Sequence, residues 1–399
     1  MLEESDHRKI AQRLDLLHMQ EEAPGMVFWH PRGLVLYRLL EQAARAHCEA
    51  QGYLEVKTPQ ILRKPVWQAS GHWQHFGAGM FRVDDQSVEA AVKPVSCPGH
   101  IQIVNSRVPS YRELPIRLSE LGVVHRDEPS GTLHGLLRLR QFTQDDGHVF
   151  CSEEQAEAEV ERFCRALPRF YAAFGFEHMS VALSTRPKER AGSDAQWDRS
   201  EAALAAVLKR LEIPHAVQPG EGAFYGPKLE LLLRDRAGRE WQCGTIQFDL
   251  VMPERFDVRY VDASGEKRRA VMLHRALYGS LERFLGMLLE HYGPALPPWL
   301  APEQLVVIPV AQAHAAWARE VGEVARGSGL RARVDARDES LARRIAEAHH
   351  AATPFVAVVG AREMAARSIA MRCGSEQHVL PLAEGIALLQ RRSAAPQFH

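Results

Sequence analysis

The run GLLRLRQFTQDDGHVF at residues 135–150 decides how this chain is read. Taken as a strand, it puts alternate side chains on one face, because successive Cβ atoms point to opposite sides of a sheet. The even positions are then Arg138, Arg140, Phe142, Gln144, Asp146 and His148. Two guanidiniums, a ring, an amide, a carboxylate and an imidazole make a poor core and a good binding surface. A plain solvated face of an antiparallel sheet has the same pattern. Just upstream, HRDEPSGTLHG (125–135) puts Arg126 and Glu128 on a preceding strand, with PSG as the turn. A hairpin with arginine on both strands suits a triphosphate and its base: guanidinium binds phosphate oxygens bidentately and the ring of Phe142 can stack on a purine. No G-x-x-x-x-G-K-[ST] occurs, which excludes a P-loop.

Two further stretches repeat this logic. In REWQCGTIQFDL (239–250) alternation places Cys243, Thr245 and Gln247 on one face and Gln242 and Gly244 on the other. In GEGAFYGPKLELLL (220–233), Tyr225 and Lys228 sit at a turn bounded by glycine and proline, either as site residues or, for Tyr225 and Cys243, as core fillers. The stretch LHRALYGSLERFLGMLLEHY (273–292) reads as a helix with Leu277, Leu281, Phe284, Leu285 and Leu288 on its core side. Ala276, Gly279, Ser280 and Gly286 surround Arg283 on the other. Helices are also expected over 34–51, ended by Gly52, and over 153–175 and 199–211. In KPVSCPGH (93–100), Cys97 and His100 have a C-x-x-H spacing, a weak metal signal when it occurs once.

A chain of 399 residues is long for one core. The clearest boundary is GPALPPWLAPEQ (293–304), which divides a large body at 1–298 from a small α/β body at 299–399. In the latter, QLVVIPV, LRARVDA, FVAVVGA and SIAMRC read as strands between helices. The fold class expected is α+β, an antiparallel-sheet domain followed by a small α/β domain. With 46% hydrophobic and 25% charged residues the composition is that of a globular protein. There is no apolar run long enough for a membrane span and no signal-peptide pattern at the N-terminus, so a cytoplasmic location is expected. Net charge of −1 leaves nucleic-acid binding to local patches. The cysteines, Cys48, Cys97, Cys151, Cys164, Cys243 and Cys373, are scattered and never form C-x-x-C, so no disulfide framework is expected.

Together these segments resemble the class II aminoacyl-tRNA synthetases, and among them the threonyl-tRNA synthetases. GYLEVKTPQ (52–60), the 125–150 hairpin and VMLHRALYGSLERFLG (271–286) are similar to the three class signatures. SGHW, KPVSCPGH, GEGAFYGPK and WQCGTIQFD match the threonyl family. The resemblance implies ATP binding at Arg126, Glu128, Arg138, Phe142, Gln242 and Arg283, with Mg²⁺ accompanying ATP. It implies a threonine pocket of Gln144, Asp146, Tyr225, Cys243, Thr245 and Gln247, and help with the chemistry from His72 and Lys228 beside Arg126 and Arg283. It implies one zinc per subunit on Cys97, His148 and His274, with His100 left out. Three protein ligands would leave coordination open for the amino group and hydroxyl of threonine, rejecting valine strongly and serine by only about 1–3 kcal/mol. Glu363 and Arg372 match anticodon contacts, and Asp338 stands where asparagine is usual. Arginines must supply any phosphate contacts there, since lysine is absent after residue 300.

The partners implied are ATP, L-threonine and tRNA(Thr), with no membrane and a homodimer built on the first signature. Only about 24 residues precede GMVFWHPRG, so the expectation is a form without the family's N-terminal editing domains, unable to clear Ser-tRNA in cis. Two rival readings are a paralogue that hands activated threonine to another acceptor, such as a carrier protein, and a non-enzymatic RNA binder. The second would predict loss of the ATP and zinc positions. A zinc hydrolase lacks the H-E-x-x-H that would supply its base.

Overall fold

The computed structural model describes residues 4–85, 88–235, 238–373 and 376–398. They fall into two compact units, one drawn from Met1–His18, Val27–Leu39 and Leu288–Gln397, the other from Met19–Met26, Leu40–Met287 and Phe398–His399.

The larger unit is built on an eight-stranded sheet. Numbered along the chain, its strands are β1 (Leu54–Glu55), β2 (Ile116–His125), β3 (Gln141–Cys151), β4 (Met179–Ser184), β5 (His215–Gln218), β6 (Lys228–Arg234), β7 (Glu240–Asp249) and β8 (Val271–Ala276). Their order is β5-β4-β6-β7-β8-β3-β2-β1. The edge pairs β5/β4 and β1/β2 are parallel and every other pair is antiparallel. The 135–150 run is a strand only from Gln141. Arg138 and Arg140 precede it, because the amide of Arg140 donates to the carbonyl of Gly25 (2.8 Å) and Leu136, Leu137 and Leu139 bury into an irregular segment. Likewise β2 ends at His125, so Arg126 and Glu128 lie just past it. Pro129 then opens a 3-10 turn, Ser130–Thr132.

Within β3 the alternation holds. Phe142, Gln144 and Asp146 are half-buried on one face, while Thr143, Asp145 and Gly147 are buried on the other. The buried face packs under α1 (Glu153–Ala172), whose Leu167, Phe170 and Tyr171 are fully buried. Arg275 of β8 lies on this side, its guanidinium donating to Asp145 and to the Cys48 sulfur (2.7 Å) and stacking on Tyr53.

The 273–292 stretch is not one helix. Val271–Ala276 is a fully buried central strand paired on both edges, and only α2 (Leu281–Tyr292) is helical. Gly279 (φ +76°) breaks the chain between them, and the Ser280 hydroxyl then accepts the Arg283 amide (3.1 Å) as a helix cap. The other expected helices form as Pro31–Ala50, closed by Gly52 at φ +74°, Glu153–Ala172 and Asp194–Arg210.

The smaller unit carries a five-stranded sheet of β9 (Leu305–Pro309), β10 (Ala332–Val334), β11 (Phe355–Val359), β12 (Ser368–Cys373) and β13 (Glu376–Pro381), in the order β10-β9-β11-β12-β13. The first four are the expected strands; β13 is additional, its EQHVLP pattern half-exposed at an edge. Helices Ala315–Gly327 and Leu382–Arg392 bury Trp317, Val321, Ile386 and Leu389 against one sheet face. Leu341–His350 covers the other through Ile345 and Ala348. Five cysteine side chains are described and each is a free buried thiol; that of Cys373 lies outside the described residues. Among the described residues no helix is long and apolar enough to cross a membrane.

Candidate functional site

Register gathers the site. Across the large sheet Lys228, Gln247, His274, His148 and Leu118 face one another in a single cross-strand row. Glu230 and Thr245 form part of the next row. Residues far apart in the chain thus share one face, which side-chain alternation aims into the same cleft. Gln242 joins them, although strict alternation would put it opposite Thr245. A register shift leaves Cys243 bulged between Leu231 and Leu232, so Gln242 returns to the cleft face. Its amide donates to Glu230 (3.1 Å), which is also ion-paired with Lys228.

A cavity of about 410 Å³ opens over this face. Its lining includes Arg126, Glu128, Arg138, Phe142, Gln144, Gln242, Thr245, Gln247 and Arg283, so the side chains expected to hold ATP and several expected to hold the amino acid share one space. The volume lies within the range of ordinary ligand sites. Arg126 donates to the Pro94 carbonyl (3.2 Å) and stacks over Phe76 and Phe142, with ring centroids at 5.5 and 5.2 Å. Burial lowers its pKa without a bidentate carboxylate to compensate, leaving a guanidinium suited to an incoming anion. Arg138 pairs with Glu128 (2.8 Å), and Arg283 donates to the Leu137 carbonyl (3.1 Å). Gly279 faces the same cavity; a Cβ there would stand 2.9 Å from the Cys243 carbonyl, so only glycine allows this approach. Cys243 also lines this cavity, its thiol 3.3 Å from the Met287 sulfur.

Beside the cavity, the Tyr225 hydroxyl donates to Gln247 (2.6 Å) while its ring stacks on His274 at 4.8 Å. His72 is buried among Trp67, Phe224 and Tyr225, its Nδ1 2.8 Å from the Ser70 hydroxyl; burial pushes its pKa down to about 3, so it is a neutral imidazole. The charge of Asp146 reaches Cys97, Arg126 and Tyr225. His72, Lys228, Tyr225 and Asp146 therefore adjoin the 410 Å³ space and do not line it.

Cys97, His148 and His274, all buried, bring one donor atom each to within 4.8 Å of one another. A thiolate and two imidazoles at such separations fit a tetrahedral zinc, whose Zn–S and Zn–N bonds of about 2.3 and 2.0 Å set donor separations below that limit. His274 Nε2 meets Asp249 Oδ2 at 2.8 Å, which directs Nδ1 toward the other two ligands. Burial, then Asp146 and Asp249, push the Cys97 thiol well above its ordinary pKa, so it becomes a thiolate only beside a cation. His100 lies outside this set, 2.8 Å from His148 through the two Nδ1 atoms and 3.2 Å from Glu120. Glu120, Asp249, Glu230 and Ser70 escaped the sequence reading. For Glu230 and Asp249, two residues after Lys228 and Gln247 on their strands, that two-residue periodicity could have marked them; for Ser70, at a helix end, and Glu120 no such signal existed.

In the smaller unit, Arg372 lines a groove of about 150 Å³ with Ile345, His349, Met371 and Gln377. Glu363 and Asp338 are not part of that lining. The Glu363 carboxylate accepts the Gly360 amide (2.8 Å) as a helix cap, and Asp338 is exposed ahead of Leu341–His350.

Residues 81–292 match the family model of the tRNA synthetase class II core domain (G, H, P, S and T), and residues 304–392 match the anticodon binding domain. Threonine–tRNA ligases of Dichelobacter nodosus and Thiobacillus denitrificans are each 48% identical, over 383 and 397 residues, 96% and 99% of this chain. The chain spans 60% and 62% of the length of these relatives. A crystal structure described as the RNA binding domain of threonyl-tRNA synthetase from Cryptosporidium parvum Iowa II is 36% identical with a TM-score of 0.94, covering 98% of this chain and 99% of that one.

Proposed function

The chain belongs to the threonyl-tRNA synthetases of the class II family, and on that premise we propose that it is a threonine–tRNA ligase. It would join L-threonine to ATP, with Mg²⁺, as threonyl-adenylate and then transfer the threonyl group to the 3′ end of tRNA(Thr). Residues 1–298 would serve as the catalytic domain and 299–399 as the anticodon-binding domain, in a cytoplasmic homodimer.

The observation that carries this reading is that Arg126, Arg283 and Phe142 line one cavity together with Thr245 and Gln247 of β7. Phe142 would stack on adenine, and Arg138 with Glu128 would hold the nucleotide's far end. Arg126 would orient the α-phosphate toward the threonine carboxylate, whose oxygen attacks phosphorus as pyrophosphate leaves. Arg126 and Arg283 would offset the negative charge that grows there, and fixed donors of this kind are typically worth about 10²–10³ in rate. Lys228 and His72 would act beside them, and Gln144, Asp146, Tyr225, Cys243, Thr245 and Gln247 would orient the amino acid. Cys97, His148 and His274 would hold zinc, which supplies a Lewis-acid point able to take the amino group and hydroxyl of threonine together. Glu363, Arg372 and Asp338 would meet the anticodon.

The test is aminoacylation of tRNA(Thr) with threonine, serine and valine, with and without a zinc chelator. With Mg²⁺ kept in excess, threonylation lost on zinc chelation and restored by added zinc supports the reading; threonylation untouched by zinc removal discards the zinc. Threonine-dependent ATP–pyrophosphate exchange without transfer to tRNA would favour the carrier-protein reading.

A further inference from the structure

His100 is the nearest imidazole to the proposed zinc ligands, yet it is not one of them, and what holds it is unusually well defined. Glu120, 2% exposed, accepts from the Thr58 amide (3.0 Å), the Thr58 hydroxyl (2.8 Å) and the Lys93 ammonium (2.8 Å). A carboxyl group with that many donors aimed at it is an ionised acceptor. His100 Nε2, at 3.2 Å, must therefore carry its proton and donate to Glu120. Lys93, only 1% exposed, already balances the carboxylate charge, so nothing buried here favours a second positive charge on His100. A neutral His100 protonated at Nε2 has a bare Nδ1.

That bare nitrogen faces His148 Nδ1 at 2.8 Å, which must then supply the proton between them. His148 is left with its lone pair on Nε2, 3.1 Å from His274 Nδ1, which is bare as well because the ring proton of His274 sits on Nε2 and is donated to Asp249. Two bare nitrogens facing each other repel unless a cation lies near both. We infer that His100, anchored by Glu120, Lys93 and Thr58, is a positioning residue that fixes His148 in the tautomer whose Nε2 can bind the metal. This rests on the zinc reading above, and extends it from the ligands to the chain of hydrogen bonds that orients one of them.

The experiment compares zinc affinity, by competition with a chromogenic chelator, and the visible spectrum of the cobalt-substituted protein in wild type, His100→Leu, His100→Asn and His100→Gln. The asparagine amide oxygen can occupy the place of Nδ1 and accept from His148; the glutamine amide reaches the place of Nε2 and keeps only the Glu120 bond. Expected are zinc binding weakened about 10–100-fold in the leucine and glutamine variants, with an altered cobalt spectrum, and near-wild-type behaviour with asparagine. The asparagine–glutamine contrast, both polar, decides the matter if the leucine variant does not fold. Zinc binding and spectra unchanged in leucine or glutamine, or asparagine as weak as glutamine, would overturn the inference while the metal reading stands. A wild-type protein that takes up no zinc would remove both.

Discussion

Replacing Glu120 by glutamine removes one charge from a fully enclosed pair and keeps its shape. Burial raises the Glu120 pKa, but hydrogen bonds from His100, Lys93 and Thr58 outweigh it and hold the group at about 2, against an ordinary 4.5. At about 1.36 kcal/mol per pKa unit this is on the order of 3 kcal/mol of stability at neutral pH. The folded value lies below the unfolded one, so the contribution is complete above about pH 4.5 and is lost as pH falls toward 2. In Glu120→Gln the Lys93 ammonium, 1% exposed, has no counter-charge; removing one partner of a buried pair costs about 3–5 kcal/mol. Urea unfolding of chelator-treated wild type and variant at pH 7 should differ by that amount. The gap should narrow by about 1 kcal/mol at pH 4 and about 2 kcal/mol at pH 3, because only the wild type has this stabilisation to lose. A gap under about 1 kcal/mol at pH 7, or one that stays constant or widens in acid, would refute the reasoning.

Tyr225→Phe keeps the ring stack on His274 and loses the hydroxyl bond to Gln247, worth about 1 kcal/mol. The KM for threonine in ATP–pyrophosphate exchange should rise about fivefold with the KM for ATP unchanged, and the reverse pattern would place Tyr225 in the nucleotide site. Gly279→Ala forces a Cβ to 2.9 Å from the Cys243 carbonyl at φ +76°, a strain of about 1–3 kcal/mol. Thermal unfolding and the exchange rate should both fall, since the cap that places Arg283 follows directly; an unchanged rate would show that this turn does not set the arginine. In the activation step serine should fall short of threonine by about 10–200-fold in kcat/KM and valine by about 10⁴-fold. Valine activated as readily as serine would contradict recognition through the hydroxyl.

What was legible in the sequence was whatever follows from side-chain period. The 142–148 alternation is present as read, because two-residue periodicity survives any change in where the strand begins. The strand's start was not legible: Arg138 and Arg140 continue the same parity, yet the Arg140 amide is taken by Gly25, more than a hundred residues away in the chain. The 273–292 run failed for a related reason. Leu277, Leu281, Phe284, Leu285 and Leu288 do have helical spacing, but the central strand VMLHRA, buried on both faces, shows no apolar–polar alternation to oppose a helix. The signal that was there is Gly279 followed by Ser280, a break and a cap in the middle of the supposed helix.

The metal set shows why local spacing misleads in a sheet. Cys97 and His100 are three apart on one helix, so both are carried into the same region, but only Cys97 belongs to the three donors that converge. His148 and His274 are directly paired across β3 and β8, and only the register of two strands, itself set by everything between them, brings their nitrogens together. Proximity along the chain thus gives His100 a place beside the centre, while pairing across the sheet gives His148 and His274 the lone pairs that meet there. On the proposed zinc reading, the C-x-x-H spacing would record a relation of a different kind, in which the cysteine is a ligand and the histidine orients another ligand toward it.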